Sequence, residues 1–118
     1  MNLTEQLRKR YPAGVAYTVP EATQTLPEVL FATAARYPNR IALDFLGATM
    51  TYAQLARKVR QAARVFTRSG VRRNDRVGIT LPNCPQHVIA VFGALTIGAI
   101  VVETNPLAPK AELSRQLR

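Results

Sequence analysis

The chain has 118 residues, of which 47% are hydrophobic and 19% charged, and its net charge is +9. This composition excludes a disordered chain, and the length allows one domain with a modest core but not two. The single cysteine, Cys84, excludes an internal disulfide. The first residues carry no basic segment followed by an apolar run, so we predict no signal peptide and a cytoplasmic location.

The first 24 residues show no regular hydrophobic period. Leu3 to Arg10 is compatible with a short helix, and the prolines and glycine that follow favour irregular or extended chain. We therefore predict a loosely attached, irregular arm over 1–24. The rest, 25–118, is predicted to be an α/β portion of a larger domain, truncated at its carboxyl end.

A helix and a hairpin open the α/β portion. Thr25 is followed three residues later by Glu28, which predicts a capping box, and apolar residues then recur at helical spacing as far as Tyr37. Ile41 to Leu46 and Thr49 to Thr51 are predicted as two strands of a β-hairpin, with Gly47-Ala48 as the tight turn.

The clearest helix begins after Thr51, which can cap it. Its apolar residues follow the i, i+3, i+4, i+7 pattern, and Gly70 ends it: Tyr52, Leu55, Ala56, Val59, Ala62, Ala63 and Phe66. A turn at Asn74-Asp75 then leads into a predicted strand, Arg76 to Leu81.

The remaining elements are a helix, a strand and a helix. Asn83 is predicted to cap the first helix with Gln86 completing the box, and Gly98 to end it. Ile100 to Val102 is predicted as a buried strand, and Pro109 as the start of the last helix. Helices that alternate with strands imply an α/β fold with mostly parallel strands.

Val77 to Val102 contains no charged residue, so a transmembrane helix has to be considered. Two prolines interrupt its beginning, and the uninterrupted apolar part contains two glycines. A span needs about 20 consecutive apolar residues. We therefore favour a buried helix followed by a buried strand.

Few residue patterns point to catalysis. His87 is the only histidine, which excludes a multi-histidine metal site, and we interpret it as a polar residue at a helix boundary. Cys84 lies at a helix start, where a thiolate is favoured, but a packing role is the preferred interpretation. The glycines never cluster, so no phosphate-binding loop is present. Glu103 to Asn105 follows a predicted parallel strand, where α/β sheets usually bind ligands.

Eight of the 16 basic residues lie between Arg57 and Arg76, where Asp75 is the only acid. One interpretation is a self-contained module that binds nucleic acid or an anionic membrane surface. The other interpretation is that these basic residues are solvated by water or pair with acidic residues from elsewhere in a longer chain. Nucleic-acid modules usually interleave aromatic residues with such charge, which this helix does not, so we expect no nucleic acid and keep peripheral membrane contact open.

Five motifs in order resemble the adenylate-forming, AMP-binding enzyme family. Thr51 to Leu55 resembles the element that opens its first regular helix, and Gly70 to Val77 resembles its Gly-Val-x-x-Gly-Asp-Arg-Val turn, with asparagine for the second glycine. Gly93 to Val102 resembles its Gly-Ala-x-x-x-Gly-Ala element. Leu81 to Gln86 and Thr104 to Leu107 are similar to the long- and medium-chain fatty acyl-CoA ligases in particular.

The resemblance implies an amino-terminal piece of an acid–thiol ligase. The intact enzyme would form an acyl-adenylate from ATP and a fatty acid, with Mg²⁺, and then the CoA thioester. The family places its phosphate loop, acyl tunnel and catalytic lysine further along a longer chain, so no catalytic, cofactor-binding or metal residue is carried over, Lys110 included. Residues 1–118 are expected to be inactive alone, with the remainder of the ligase chain as their partner. A scaffold that only oligomerises is a third possibility.

Overall fold

The computed structural model describes residues 2–117. Along them lie helices and strands in the order α1 (Leu3–Arg8), α2 (Leu26–Arg36), β1 (Ile41–Phe45), β2 (Ala48–Thr51), α3 (Tyr52–Arg68), β3 (Arg76–Ile79), α4 (Pro85–Thr96), β4 (Ile100–Glu103) and α5 (Lys110–Gln116). The alternation of helices and strands after the hairpin is the one predicted, and the α/β class is confirmed.

The amino-terminal arm lies almost entirely in solvent. From residue 2 to residue 26 every residue is exposed except the half-buried Tyr17. Arg8 lies over the Tyr17 ring at 5.2 Å, and Tyr11 meets the same ring edge-on at 5.1 Å. These contacts are internal to the arm. The division of the chain at residue 25 stays a prediction.

The predicted capping box of α2 is present. The Thr25 backbone N–H donates to Glu28 Oε2 at 2.6 Å, and the Glu28 N–H donates to Thr25 Oγ1 at 3.4 Å. The bonds from Thr25, backbone first and hydroxyl second, hold the pKa of the Glu28 carboxyl below its ordinary value. Of the predicted apolar stripe only Leu30 and Ala34 are buried, whereas Leu26 stays exposed.

The hairpin pairs β1 with β2 antiparallel, with Phe45 opposite Ala48. Its turn residues are therefore Leu46 and Gly47, and the predicted turn at Gly47-Ala48 is wrong by one residue. Both turn residues have positive φ, 52° and 83°, which is what a two-residue turn needs to match the twist of the strands. Asp44 Oδ1 accepts a hydrogen bond from the Gly47 N–H at 3.1 Å and helps to hold the turn.

Helix α3 is the centre of the core. Four residues of its predicted apolar face are buried, Leu55, Ala56, Val59 and Ala63, and the other three are half-buried. Leu55 and the fully buried Val59 pack against Leu30 of α2. On its other flank, α3 packs closely against α4. A Cβ atom added to Gly93 would lie 2.7 Å from the Cβ of Ala62, so glycine is required for this helix–helix distance.

Strands β3 and β4 pair in parallel and are joined by α4, as predicted. The predicted cap of α4 is wrong: the N-cap is Cys84, and no side-chain hydrogen bond caps the helix. Proline is preferred at the first helical position, which Pro85 occupies. The N-cap is therefore Cys84, directly before it, and Asn83 lies one residue outside the helix. The prediction that β4 is a buried strand is also wrong, because Ile100 is 46% exposed beside a single neighbouring strand.

The uncharged stretch contains most of β3, helix α4 and most of β4, so a helix followed by a strand is present as predicted, although the strand is not buried. Within residues 2–117 there is no helix with both the length and the apolar character needed to cross a bilayer.

Candidate functional site

The carboxyl ends of β3 and β4 form the polar edge of the parallel pair. Ile79 lies opposite Glu103, so the register brings together the threonines that follow each strand, Thr80 and Thr104. The buried Thr104 hydroxyl donates to the Ile79 carbonyl at 3.2 Å. A hydroxyl has one proton, and that of Thr104 is used in this bond. In the contact between the two hydroxyls, Thr80 is therefore the donor and Thr104 the acceptor.

The amino-terminal turn of α4 adds an imidazole to this edge. His87 Nε2 lies 3.0 Å from each carboxylate oxygen of Glu103, the last residue of β4. A carboxylate only accepts hydrogen bonds, so Nε2 carries a proton and donates it. The pair links the start of α4 to the end of β4, which goes beyond the boundary role predicted for His87.

A cleft of about 300 Å³ lies between the hairpin and the start of α4. Its walls are mostly apolar, and its polar side chains come from both elements: Leu43, Asp44, Phe45, Asn83, Cys84, Pro85, His87 and Val88. A catalytic thiol needs a base within hydrogen-bond reach. The His87 backbone N–H donates to the Cys84 carbonyl at 3.1 Å, but no hydrogen bond joins the Cys84 thiol to the His87 imidazole in the described part of the chain, so the cleft shows a thiol without an adjacent base.

The other predicted residue at this edge has a structural contact. Asn105 Oδ1 accepts a hydrogen bond from the Leu107 N–H at 2.9 Å, which closes the loop after β4. Across residues 2–117, no three His, Cys, Asp or Glu side chains are grouped so that they could hold a metal ion. The edge can donate and accept hydrogen bonds, but it assembles no nucleophile with a base.

The sequence indicated Glu103 to Asn105 as a ligand-binding position and missed Thr80 and His87. Thr80 had a readable signal, because both parallel strands are followed directly by threonine. No sequence signal indicated that His87 would contact Glu103, because this contact depends on how α4 packs against β4. The prediction that residues 1–118 contain no catalytic, cofactor-binding or metal residue stays a prediction.

Comparison with known proteins identifies the family. The model of the family described as AMP-binding enzyme matches residues 30–118. The chain is 39% identical over 108 residues to a long-chain-fatty-acid–CoA ligase of Bacillus subtilis, covering 92% of this chain and 19% of that protein. It is 34% identical over 101 residues to a mitochondrial medium-chain acyl-CoA ligase of Danio rerio, covering 84% and 17%.

Solved structures agree with the sequence comparison. The Klebsiella oxytoca NpsA N-terminal subdomain superimposes with a TM-score of 0.74 at 27% identity, over 78% of this chain and 24% of that one. The anthranilate CoA ligase AuaEII, in complex with anthranoyl-AMP, gives 0.75 and 27%, over 78% and 18%. The chain spans about one fifth of the length of the curated relatives it matches. It belongs to the AMP-binding, adenylate-forming enzyme family.

Proposed function

We propose that the chain is the amino-terminal part of a fatty acid–CoA ligase. Such an enzyme forms an acyl-adenylate and pyrophosphate from ATP and a fatty acid, and CoA then displaces AMP to give the thioester. The observation that carries the proposal is the 39% identity to a long-chain-fatty-acid–CoA ligase over 92% of the chain. Triostin synthetase I of Streptomyces triostinicus, a relative outside this group, matches only 75% of the chain.

The packing of the described residues supports a role as part of a larger domain. The radius of gyration is 18.7 Å, whereas a compact domain of this length has about 13.5 Å. The strands form two separate pairs, and a two-stranded sheet is marginally stable by itself. Aliphatic side chains such as Ile41 and Ile100 stay exposed beside these strands. The remainder of the ligase chain is the partner that would cover them.

ATP, Mg²⁺ and CoA are proposed to bind to sequence outside residues 1–118. The residues present do not fit them: the glycines are scattered, and residues 2–117 hold no cluster of acids or histidines that fits a metal ion. In this proposal the segment contributes no catalytic residue and is inactive alone. Its α3–α4 core supports the sheet edge, and the intact ligase acts in the cytoplasm.

A segment exchange tests the proposal. Residues 2–117 replace the matching segment of the Bacillus subtilis ligase, and fatty-acid-dependent ATP–pyrophosphate exchange is measured. We expect the chimera to retain exchange. A matched chimera with Val59→Asp should lose it, because the substitution places a charge at a fully buried position.

Two results would contradict the proposal. A folded chimera with no exchange, judged folded by its circular dichroism spectrum, would show that this segment does not serve as a ligase segment. Exchange catalysed by the pure 118-residue chain would show that the catalytic machinery lies within it.

A further inference from the structure

The outward face of α3 carries a row of arginines, here called the arginine stripe: Arg57, Arg64 and Arg68. Their spacing of seven and four residues places them on one side of the helix, opposite the buried Leu55 and Val59. All three are exposed, and the stripe is about 16 Å long at 1.5 Å per residue.

The acids of the chain leave this charge uncompensated. Five of the seven acids accept hydrogen bonds from nearby backbone groups or from His87: Glu5, Glu28, Asp44, Asp75 and Glu103. The Asp75 carboxylate, the only acid near the stripe in sequence, accepts from the Arg72 N–H at 2.8 Å. The one contact between a basic side chain and a carboxylate within residues 2–117 is that of His87 with Glu103, so no lysine or arginine among them lies within 4.0 Å of a carboxylate.

An apolar-floored groove adjoins the carboxyl-terminal half of the stripe. It has a volume of about 320 Å³ and lies between α3 and the end of α4, with Arg64 and Arg68 beside Ala63, Thr67 and Ile97. Val65, 60% exposed, lies on the solvent side of the same helix turn. Two guanidinium groups next to aliphatic carbon are complementary to an anionic headgroup that carries an acyl chain.

We propose that the arginine stripe is a docking surface for the anionic phospholipids of a membrane surface. The contact is peripheral, because the apolar face of α3 is occupied by the core and only its basic face meets the headgroups. The positive charge suits the phosphates of lipid and nucleic acid alike, but the adjoining apolar groove favours a lipid surface. The aromatic residues of α3, Tyr52 and Phe66, are half-buried on the core side and are not placed to stack on bases. The inference does not depend on the ligase function proposed above.

Vesicle co-sedimentation of the full chain tests the docking surface. Binding is measured at low and at physiological ionic strength, to phosphatidylcholine vesicles with and without phosphatidylglycerol. We expect binding only when the anionic lipid is present, and weaker binding at the higher salt. The triple variant Arg57→Gln, Arg64→Gln, Arg68→Gln should lower the partition coefficient about 100-fold, since each basic residue near an anionic surface contributes about fivefold.

Two further variants make the test specific. The control Lys9→Gln, Arg10→Gln, Lys110→Gln removes the same charge from exposed positions on the arm and on α5, and it should retain most of the binding. Replacing the stripe by three lysines should also retain it, because the charge is preserved.

Three outcomes would overturn the proposal. The first is the absence of binding to anionic vesicles at low salt. The second is an equal loss in the stripe variant and the control, which would reduce the effect to net charge. The third is binding of a duplex oligonucleotide that depends on the stripe while vesicle binding does not. Circular dichroism spectra of all variants exclude unfolding as the cause of any loss.

Discussion

Adding one methyl group to Gly93 should test the close contact of α3 with α4. The new Cβ of Gly93→Ala would lie 2.7 Å from the Cβ of Ala62, well short of the 3.4 Å at which ordinary contact begins. Helix propensity alone predicts that alanine in place of glycine stabilises α4 by about 1 kcal/mol. Overpacking a core contact costs about 1–3 kcal/mol. We therefore expect a net loss of about 1 kcal/mol in the free energy of unfolding.

The compensating change is Ala62→Gly, which removes the atom that the new methyl group meets. The substitution should cost about 1 kcal/mol alone, because glycine is a poor helix former. In the double variant the methyl group moves from one helix to the other, and the closest remaining contacts of the new Cβ are backbone atoms of α3 at 3.3 and 3.4 Å. The two substitutions should therefore couple favourably by about 1–2 kcal/mol.

Urea unfolding followed by far-ultraviolet circular dichroism measures all four corners of this cycle. Ala53→Gly is the matched control, because it lies on the same helix, is exposed, and should not couple to Gly93→Ala. A Gly93→Ala variant that gains the full 1 kcal/mol of helix propensity would refute the close approach. So would a coupling energy indistinguishable from that of the control.

Three other changes have defined outcomes. Val59→Ala, at a fully buried position, should lower the free energy of unfolding by about 2 kcal/mol in urea titrations. Val65→Ala, at a position 60% exposed, should leave it nearly unchanged. Equal effects of the two substitutions would contradict the placement of the core. Thr104→Val should cost about 1 kcal/mol because it removes the buried hydroxyl that donates to the Ile79 carbonyl, which keeps its bond from the Thr104 N–H. Thr104→Ser should retain most of the stability, and an equal loss would contradict that reason. Hydrogen bonds from Thr25 lower the pKa of Glu28, so the stability they add is present above the pKa of an unfolded glutamate and is lost as the pH falls through the lower folded value. Glu28→Gln should remove that part of the pH dependence of the helix signal in circular dichroism. An unchanged pH profile in the variant would contradict the role of these bonds.

The local elements were largely predictable because their signals lie within a few residues of one another. The capping box of Thr25 with Glu28 and the apolar stripe of α3 were read at the right positions. The errors came where two local preferences compete. At the hairpin, the sequence predicts glycine as the first turn residue, whereas Leu46 precedes it in the turn and also adopts a positive φ. At α4, Asn83 has a side chain suited to capping, but Pro85 occupies the first helical position and makes Cys84 the N-cap.

The candidate site was less predictable than the fold. The sequence pointed to Glu103 and the two residues after it as the end of a parallel strand, and β4 does end there. It did not indicate that Thr80 would meet Thr104, or that His87 would meet Glu103. These pairs are separated by 24 and 16 residues along the chain.

The sequence by itself determined the alternation of helices and strands, the basic side of α3, and the motifs that resemble the adenylate-forming family. Those features depend on residue type and on spacings of a few residues, which periodicity and capping rules describe. The tertiary structure decided which strands pair, which polar groups meet at the edge of the sheet, and how closely α3 approaches α4. It also showed that five of the seven acids accept local hydrogen bonds and that, within residues 2–117, no carboxylate lies within 4.0 Å of the arginine stripe. Such contacts depend on the packing of elements that are distant in sequence, which no local pattern encodes.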